Sequence, residues 1–286
     1  MKNLLRTLIY DSQVSLTVAD TTEMSKEGIQ RHGLSLASAY VFAKALSAMT
    51  YMSSCLKEEK GEISLAIKSD GIGGDIAVSG NHALSLRGYI ANTNAEGSAD
   101  SLSERKVLGE QGALTVIRDD GYIRPFVGSC AFPEAGGLDE AFEEYYRISE
   151  QLPTRIRTAA IFDESGNCVF SGVVALQPLP FADEEVLKKV WEIDMDSLLS
   201  SLRKNGAESC VEQEFGKEET VWEARNANYK CNCSREYLKR VLVSLGEEQL
   251  REIIKEEGEV KVHCHYCNTD YKFTEEDADK LFPTQK

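Results

Sequence analysis

Four cysteines stand in two tight pairs near the C-terminus: Cys231 and Cys233 in YKCNCS, and Cys264 and Cys267 in VHCHYCN. The spacing is C-x-C-x30-C-x2-C. Thiolates are soft ligands, and four of them from two short knuckles make a closed tetrahedral shell for zinc, with Zn–S near ~2.3 Å. His263 and His265 flank Cys264 as alternative nitrogen ligands, but the four sulfurs already complete the shell. Two rival readings are a metal-free dithiol redox pair and four unrelated thiols packed as small hydrophobes. An ordinary zinc ribbon carries two C-x2-C knuckles. The C-x-C here suits a site that must be able to release its metal.

Metal and disulfides would do different mechanical work at these residues. A metal ties Cys231 and Cys233 to Cys264 and Cys267 and closes the long loop between them. Oxidation would most easily join sequence neighbours, Cys231 with Cys233 and Cys264 with Cys267. Those bridges close tiny loops, and stabilisation by cross-linking falls with loop size. Metal-bound sulfurs are already thiolates, the form that oxidants attack. The arrangement reads as a switch, reduced and clamped or oxidised and loose.

The elements that must carry these residues form a small module, 229–286. Ser234 caps a helix bearing Leu238, Val241, Leu242 and Leu245, which Gly246 ends. A second helix bears Leu250, Ile253 and Ile254 and stops at Gly258. EVKVHC reads as a strand, HYCNTDYKF as a turn and return strand, and TEED as the capping-box start of a last helix. So short a chain rarely buries enough apolar surface alone. Structural zinc contributes on the order of 10–16 kcal/mol in small peptides, against domain stabilities of about 5–15 kcal/mol. Metal removal is therefore expected to unfold the module.

Upstream, residues 1–178 read as one α+β domain. RTLIY, VSLTVAD, EISLAIKSD, DIAVSG, LSLRGYI, ALTVIRDD, TRIRTAAIFD and CVFSGVVALQ are strand-like, and many alternate apolar with polar residues. Turns such as SDGIGG and DDGY suggest antiparallel hairpins, and helices are expected near 22–31, 35–56 and 138–150. Residues 34–56 hold Lys44 among serines and alanines, so they read as a buried helix and not a bilayer span. Pro178 and Pro180 open a charged segment, 179–228, with Leu187, Val190, Trp191, Leu198, Leu199 and Leu202 near helical spacing. Its second half loses that period, and the whole reads as a metastable helical linker. Both tryptophans, Trp191 and Trp222, lie in it, so a red shift of emission is expected when it opens.

The net charge of −15 over 286 residues weighs against nucleic-acid and anionic-membrane partners. MKNLLRTLIYDS does not read as a signal peptide, and a cytoplasmic location is expected, where paired cysteines suggest metal or redox chemistry before structural disulfides. GIGGDIAVSG is neither a dinucleotide fingerprint nor a P-loop, so a turn is preferred to an ATP site. No G-x-S-x-G elbow accompanies Ser149, Glu150 or His32, and SEQLPT reads as a helix end and turn. Cys55, Cys130 and Cys168 read as buried packing residues. Cys210 reads as a bystander thiol in the linker, open to mixed disulfides if exposed.

KCNCSRE, SLGEEQLREII, GEVKVHCHYCNTDYKF and, far upstream, EYYRISEQLPT together resemble the heat-shock protein 33 family of bacterial redox-regulated chaperones. RGYI, LTVIRDDG and RPFVG are further landmarks, and the similarity spans essentially the whole chain. DGIGGDIAV departs from the family's more usual Gly-Pro-Leu-Gly-like turn. The resemblance implies a non-enzymatic, ATP-independent holdase that protects unfolding proteins under heat and oxidative stress. It implies an inactive reduced form holding one zinc per chain on Cys231, Cys233, Cys264 and Cys267. Activation would form the Cys231–Cys233 and Cys264–Cys267 disulfides, expel zinc, unfold the module and loosen the linker. Clients are unfolded proteins, and the active form is expected to be a homodimer. The main alternative is a thiol-disulfide oxidoreductase using Cys264 and Cys267, which the lack of a thioredoxin-like βαβ setting weakens.

Overall fold

The computed structural model describes residues 2–97, 102–121, 124–216 and 223–282. It falls into two compact units, Met1–Tyr229 and Lys230–Lys286. The first begins with the hairpin β1 (Leu4–Ile9) and β2 (Val14–Asp20), then helices α1 (Thr22–His32) and α2 (Leu36–Ser54). β3 (Glu62–Lys68), β4 (Ile76–Asn81), β5 (Ser85–Ile90), α3 (Glu104–Leu108), β6 (Ala113–Asp119) and β7 (Phe126–Ala131) follow. α4 (Leu138–Tyr145) runs into a π-helical turn (Tyr146–Glu150), and the long pair β8 (Arg155–Phe162) and β9 (Cys168–Pro178) comes next. Every strand expected before residue 179 is present. β7 and α3 are additional: α3 is a single short turn, and in β7 the apolar Phe126 and Val127 are exposed, so neither follows a clear core-facing period.

Two sheets flank α2, which packs on β8 and β9 of one and on β4 and β5 of the other. The first sheet has the order β10-β1-β2-β9-β8 and the second β11-β5-β4-β3-β6-β7, where β10 (Glu223–Arg225) and β11 (Asn228–Tyr229) come from the end of the unit. α2 is buried almost from end to end, which its alanines and serines permit by letting backbones approach. Two of its hydroxyls bond within the helix, Ser47 and Thr50 donating to the carbonyls of Ala43 and Leu46, both at 2.9 Å. Among the described residues no helix is long and apolar enough to cross a membrane. In the DGIGG turn, a Cβ on Gly71 would meet Gly109 N at 2.3 Å, so glycine lets this turn press against the end of α3.

The first sheet is buried on both faces, a point its alternation does not reveal. Ala19, Val173 and Ala175 face the α2 core. Leu5, Val14, Leu16, Val18, Val174 and Leu176 face the other way, into a second core. That core is closed by α5 (Glu184–Glu192), α6 (Met195–Asn205) and α7 (Ala207–Phe215), through Val186, Val190, Met195, Leu198, Leu199, Leu202 and Val211. The segment expected to be one loosely periodic helix is three short ones, broken at Asp194, whose carboxylate caps α6, and at Gly206. Two expectations change. Cys210 is fully buried in this second core, its Sγ 3.5 Å from the carbonyl of Leu198, and is not open to mixed disulfides here. Trp191 is 49% exposed and so begins half solvated. Trp222 lies outside the described residues.

The second unit holds α8 (Arg235–Leu245), α9 (Glu247–Glu257), the hairpin β12 (Val260–Cys264) and β13 (Thr269–Phe273), and α10 (Glu275–Leu281). Leu238, Leu242, Leu250, Ile254, Val260, Phe273 and Ala278 form its small core. Val241 and Leu245, on the same helix, are exposed, because packing between short helices covers only one stripe of each.

Candidate metal centre

Cys231 and Cys233 lie on an extended stretch directly before α8, whose N-cap Ser234 accepts the Tyr237 N–H at 3.1 Å. The cap fixes where the helix begins and so where the C-x-C stretch must end. Cys264 closes β12 and Cys267 sits in the hairpin turn, its N–H donating to the Cys264 carbonyl at 3.3 Å. Asn268 takes the left-handed conformation (φ 48°) that returns the chain to β13, and Thr269 Oγ1 donates to the Cys267 carbonyl at 3.0 Å.

These two stretches bring the four Sγ atoms within 4.8 Å of one another. Cys231 and Cys264 approach to 3.8 Å, and Cys233 and Cys267 to 3.1 Å. A tetrahedron of sulfurs about 2.3 Å from its centre has edges of about 3.8 Å, so the donor set and its spacing fit a tetrahedral thiophilic cation such as zinc. Both of these approaches run across the two stretches, as a clamp requires. His263 and His265 do not join this group. Nδ1 of His263 pairs with Asp270 at 2.6 Å, and the two imidazoles meet edge to face at 4.9 Å. Burial pushes the Cys264 and Cys267 thiols up. A bound cation offsets that effect by favouring the thiolates.

One residue of this centre escapes a reading by spacing. The hydroxyl of Tyr271 lies 3.2 Å from Cys233 Sγ, and the bond to that sulfur is the main cause raising the phenol above its ordinary range. Tyr271 stands on β13 at the side of the knuckle, where it can donate to a ligand sulfur and hold its lone pair. The Cys264–Cys267 pair sits in a two-stranded antiparallel hairpin and not at the start of a helix after a parallel strand, the setting of a thioredoxin-like dithiol.

Elsewhere, two of the residues considered for hydrolysis, Glu150 and His32, have structural partners. Glu150 closes the π-helical turn, taking Tyr145 Oη at 2.8 Å and Arg118 through both carboxylate oxygens. His32 Nε2 meets Tyr229 Oη at 2.9 Å. Cys130 and Cys168 are buried, and burial pushes both thiols up to about 11. Cys55 is half-buried.

A two-sheet α+β body joined to a small unit with a four-thiol centre defines a thiol protein whose cysteines could hold a metal ion. The chain belongs to the Hsp33 family: the family described as "Hsp33 protein" matches residues 2–274. It is 31% identical to a "33 kDa chaperonin" of Bacillus cytotoxicus over 98% of each chain. It is 31% identical to one of Clostridium perfringens over 97% of this chain and 90% of that one. The crystal structure of the 33 kDa chaperonin (heat shock protein 33 homolog) of Thermotoga maritima superposes with a TM-score of 0.83 at 26% identity, over 98% of each chain. Membership of this family supports a chaperone function, and the relatives carry a chaperonin's name and not an enzyme's.

Proposed function

We propose that this protein is a redox-regulated, ATP-independent holdase of the cytoplasm. The observation that carries the reading is the second core. Among the described residues, the most apolar face of the first sheet is covered by three short, charged helices in the segment that leads to the cysteines. Burying one Leu or Val side chain is worth about 1.5–3 kcal/mol, so this face is costly to uncover and adhesive once uncovered.

In the reduced protein, Cys231, Cys233, Cys264 and Cys267 would hold one zinc ion, which supplies the long-range tie between the two stretches. Peroxide plus two thiolates and two protons gives one disulfide and two waters. Applied at Cys231–Cys233 and at Cys264–Cys267, this step consumes all four donors. The tie is replaced by two local bridges, the small core can no longer hold its fold, and segment 179–228 loses order beside it. The apolar sheet face then receives unfolded client proteins, and the active form is a homodimer.

The test is aggregation of a heat-unfolding client with reduced protein and with protein warmed in peroxide, alongside zinc release and mass-spectrometric thiol mapping. Expected are one zinc per reduced chain, little protection before oxidation, and strong protection after it. Full protection by the reduced, zinc-loaded form overturns the reading.

A further inference from the structure

Residues 223–229 form an extended strap across the open edges of both sheets of the first unit. β10 adds antiparallel to β1, with Leu4 opposite Arg225 and Arg6 opposite Glu223. β11 then adds parallel to β5, with Asn228 opposite Ser85 and Tyr229 opposite Leu86. Much of the grip is through main chain, with the Arg225 guanidinium also donating to the His82 carbonyl. Asn3 N–H donates to the Arg225 carbonyl (3.2 Å) and Asn228 N–H to the Leu84 carbonyl (3.0 Å). The Asn3 side chain brackets Ala227, accepting its N–H at 2.8 Å and donating to its carbonyl at 2.9 Å.

Only two strap side chains are buried, Ala227 and Tyr229, with exposed Asn228 between them. The Tyr229 ring fills a slot against α1, so tight that a Cβ on Gly28 would lie 2.9 Å from it. Arg31 stands 5.7 Å over the ring, and the hydroxyl donates to the Gly88 carbonyl at 2.9 Å. This is how a groove binds a peptide, with edge hydrogen bonds for any sequence and one pocket for a side chain. A few residues of strand pairing are marginal without such an anchor. Tyr229 is followed at once by Lys230 and Cys231, so the anchor lies two residues from the metal centre.

We infer that this seat is an acceptor for an extended polypeptide segment with a small residue two positions before an aromatic one. The chain's own strap occupies it until the unit beginning at Lys230 unfolds; this last clause rests on the redox reading proposed above. The occupant committed to is a segment of an unfolding client. Unpaired sheet edges take up extended strands, and unfolding is what turns a client's buried aromatic residues outward in extended chain. The face under α5–α7 would supply apolar area, and the strap seat would supply main-chain pairing and an aromatic pocket.

The test uses the full chain and a fluorescent peptide of the strap sequence EARNANY as probe, read by anisotropy. Expected are binding at least tenfold tighter to the oxidised, zinc-free protein than to the reduced one, and at least tenfold loss when serine replaces the peptide's tyrosine. Unlabelled peptide should displace denatured client. Amide exchange at 225–229 of the unsubstituted protein should rise on activation. The full-length variant Tyr229→Ser, still reduced and zinc-loaded, should bind the peptide without oxidant. The inference is overturned if activated protein protects clients while the peptide binds neither form, or binds equally with serine. It is also overturned if amides 225–229 stay protected, or if the seat is filled by the strap of a second copy. If peroxide activates nothing but Tyr229→Ser still opens the seat, the seat stands and the redox reading falls.

Discussion

Tyr271 beside Cys233 makes a prediction about reactivity. Its hydrogen bond lowers the electron density at the sulfur and helps orient it. Outer-shell partners of this kind are worth about 10–100-fold in metal affinity. Tyr271→Phe should keep the fold and release zinc to a competing chelator, or to peroxide, about tenfold faster; an unchanged rate removes Tyr271 from the centre. Lys44 is the second case at this scale. It is buried in α2 against Glu104 and Asp139, the latter at 3.2 Å, and Asp139 also accepts both N–H and Oγ1 of Thr158. Burial alone would lower the Lys44 ammonium, but Asp139 and Glu104 hold it above its ordinary range, while burial raises Asp139. Lys44→Met removes the ammonium between two buried carboxylates, leaving Asp139 only the more distant Arg157 guanidinium at 3.7 Å, and should cost about 3–5 kcal/mol in denaturant unfolding at neutral pH. In the variant the folded pKa of Asp139 stands above its unfolded one. The deficit should therefore be smallest below the ordinary carboxylate range and grow as pH rises through the folded value.

At the scale of elements, the three covering helices are held by polar contacts besides the second core. One is Arg155 on β8, whose Nη1 donates to the carbonyls of Val190, Trp191 and Ile193 at 2.8, 3.2 and 2.8 Å. Its guanidinium also stands 5.6 Å from the Trp191 ring. It closes the end of α5, where carbonyls have no helical partner. Arg155→Met should make the 180–195 stretch cleave several-fold faster in limited proteolysis, with zinc retained. Leu199→Asp places an unpaired carboxylate in the second core and should lift α6. Dye binding to apolar surface and client protection should then rise without oxidant; a reduced variant that exposes the face but protects nothing would separate the sheet face from holdase activity. Trp191 is a weak reporter of such opening, because it begins half exposed.

For the whole molecule, division into two compact units predicts unfolding in two steps. The second unit has a core of seven buried apolar residues, and a site lost on unfolding contributes its binding energy to folding. Chelation of the reduced protein should abolish one calorimetric transition and leave the other, with amide exchange rising in 230–282. Loss of both transitions together would mean that the first unit cannot stand without the metal.

The sequence alone determined the four thiols, the caps Ser234 and Thr274, the strands before residue 179 other than β7, and the family. Ligand chemistry, capping and two-residue alternation act over a few residues and leave their mark in local spacing. Tertiary structure decided which neighbour each face met. Val14, Leu16 and Val18 alternate cleanly, yet nothing local says that their side is roofed by residues 184–215 while Ser15 and Thr17 are buried on the other. The charged neighbours of Cys210 left its exposure open because its burial comes from packing on a distant sheet. Tyr229 and Tyr271 gained partners across 141 and 38 residues of sequence, a separation at which side-chain pairing leaves no period to detect.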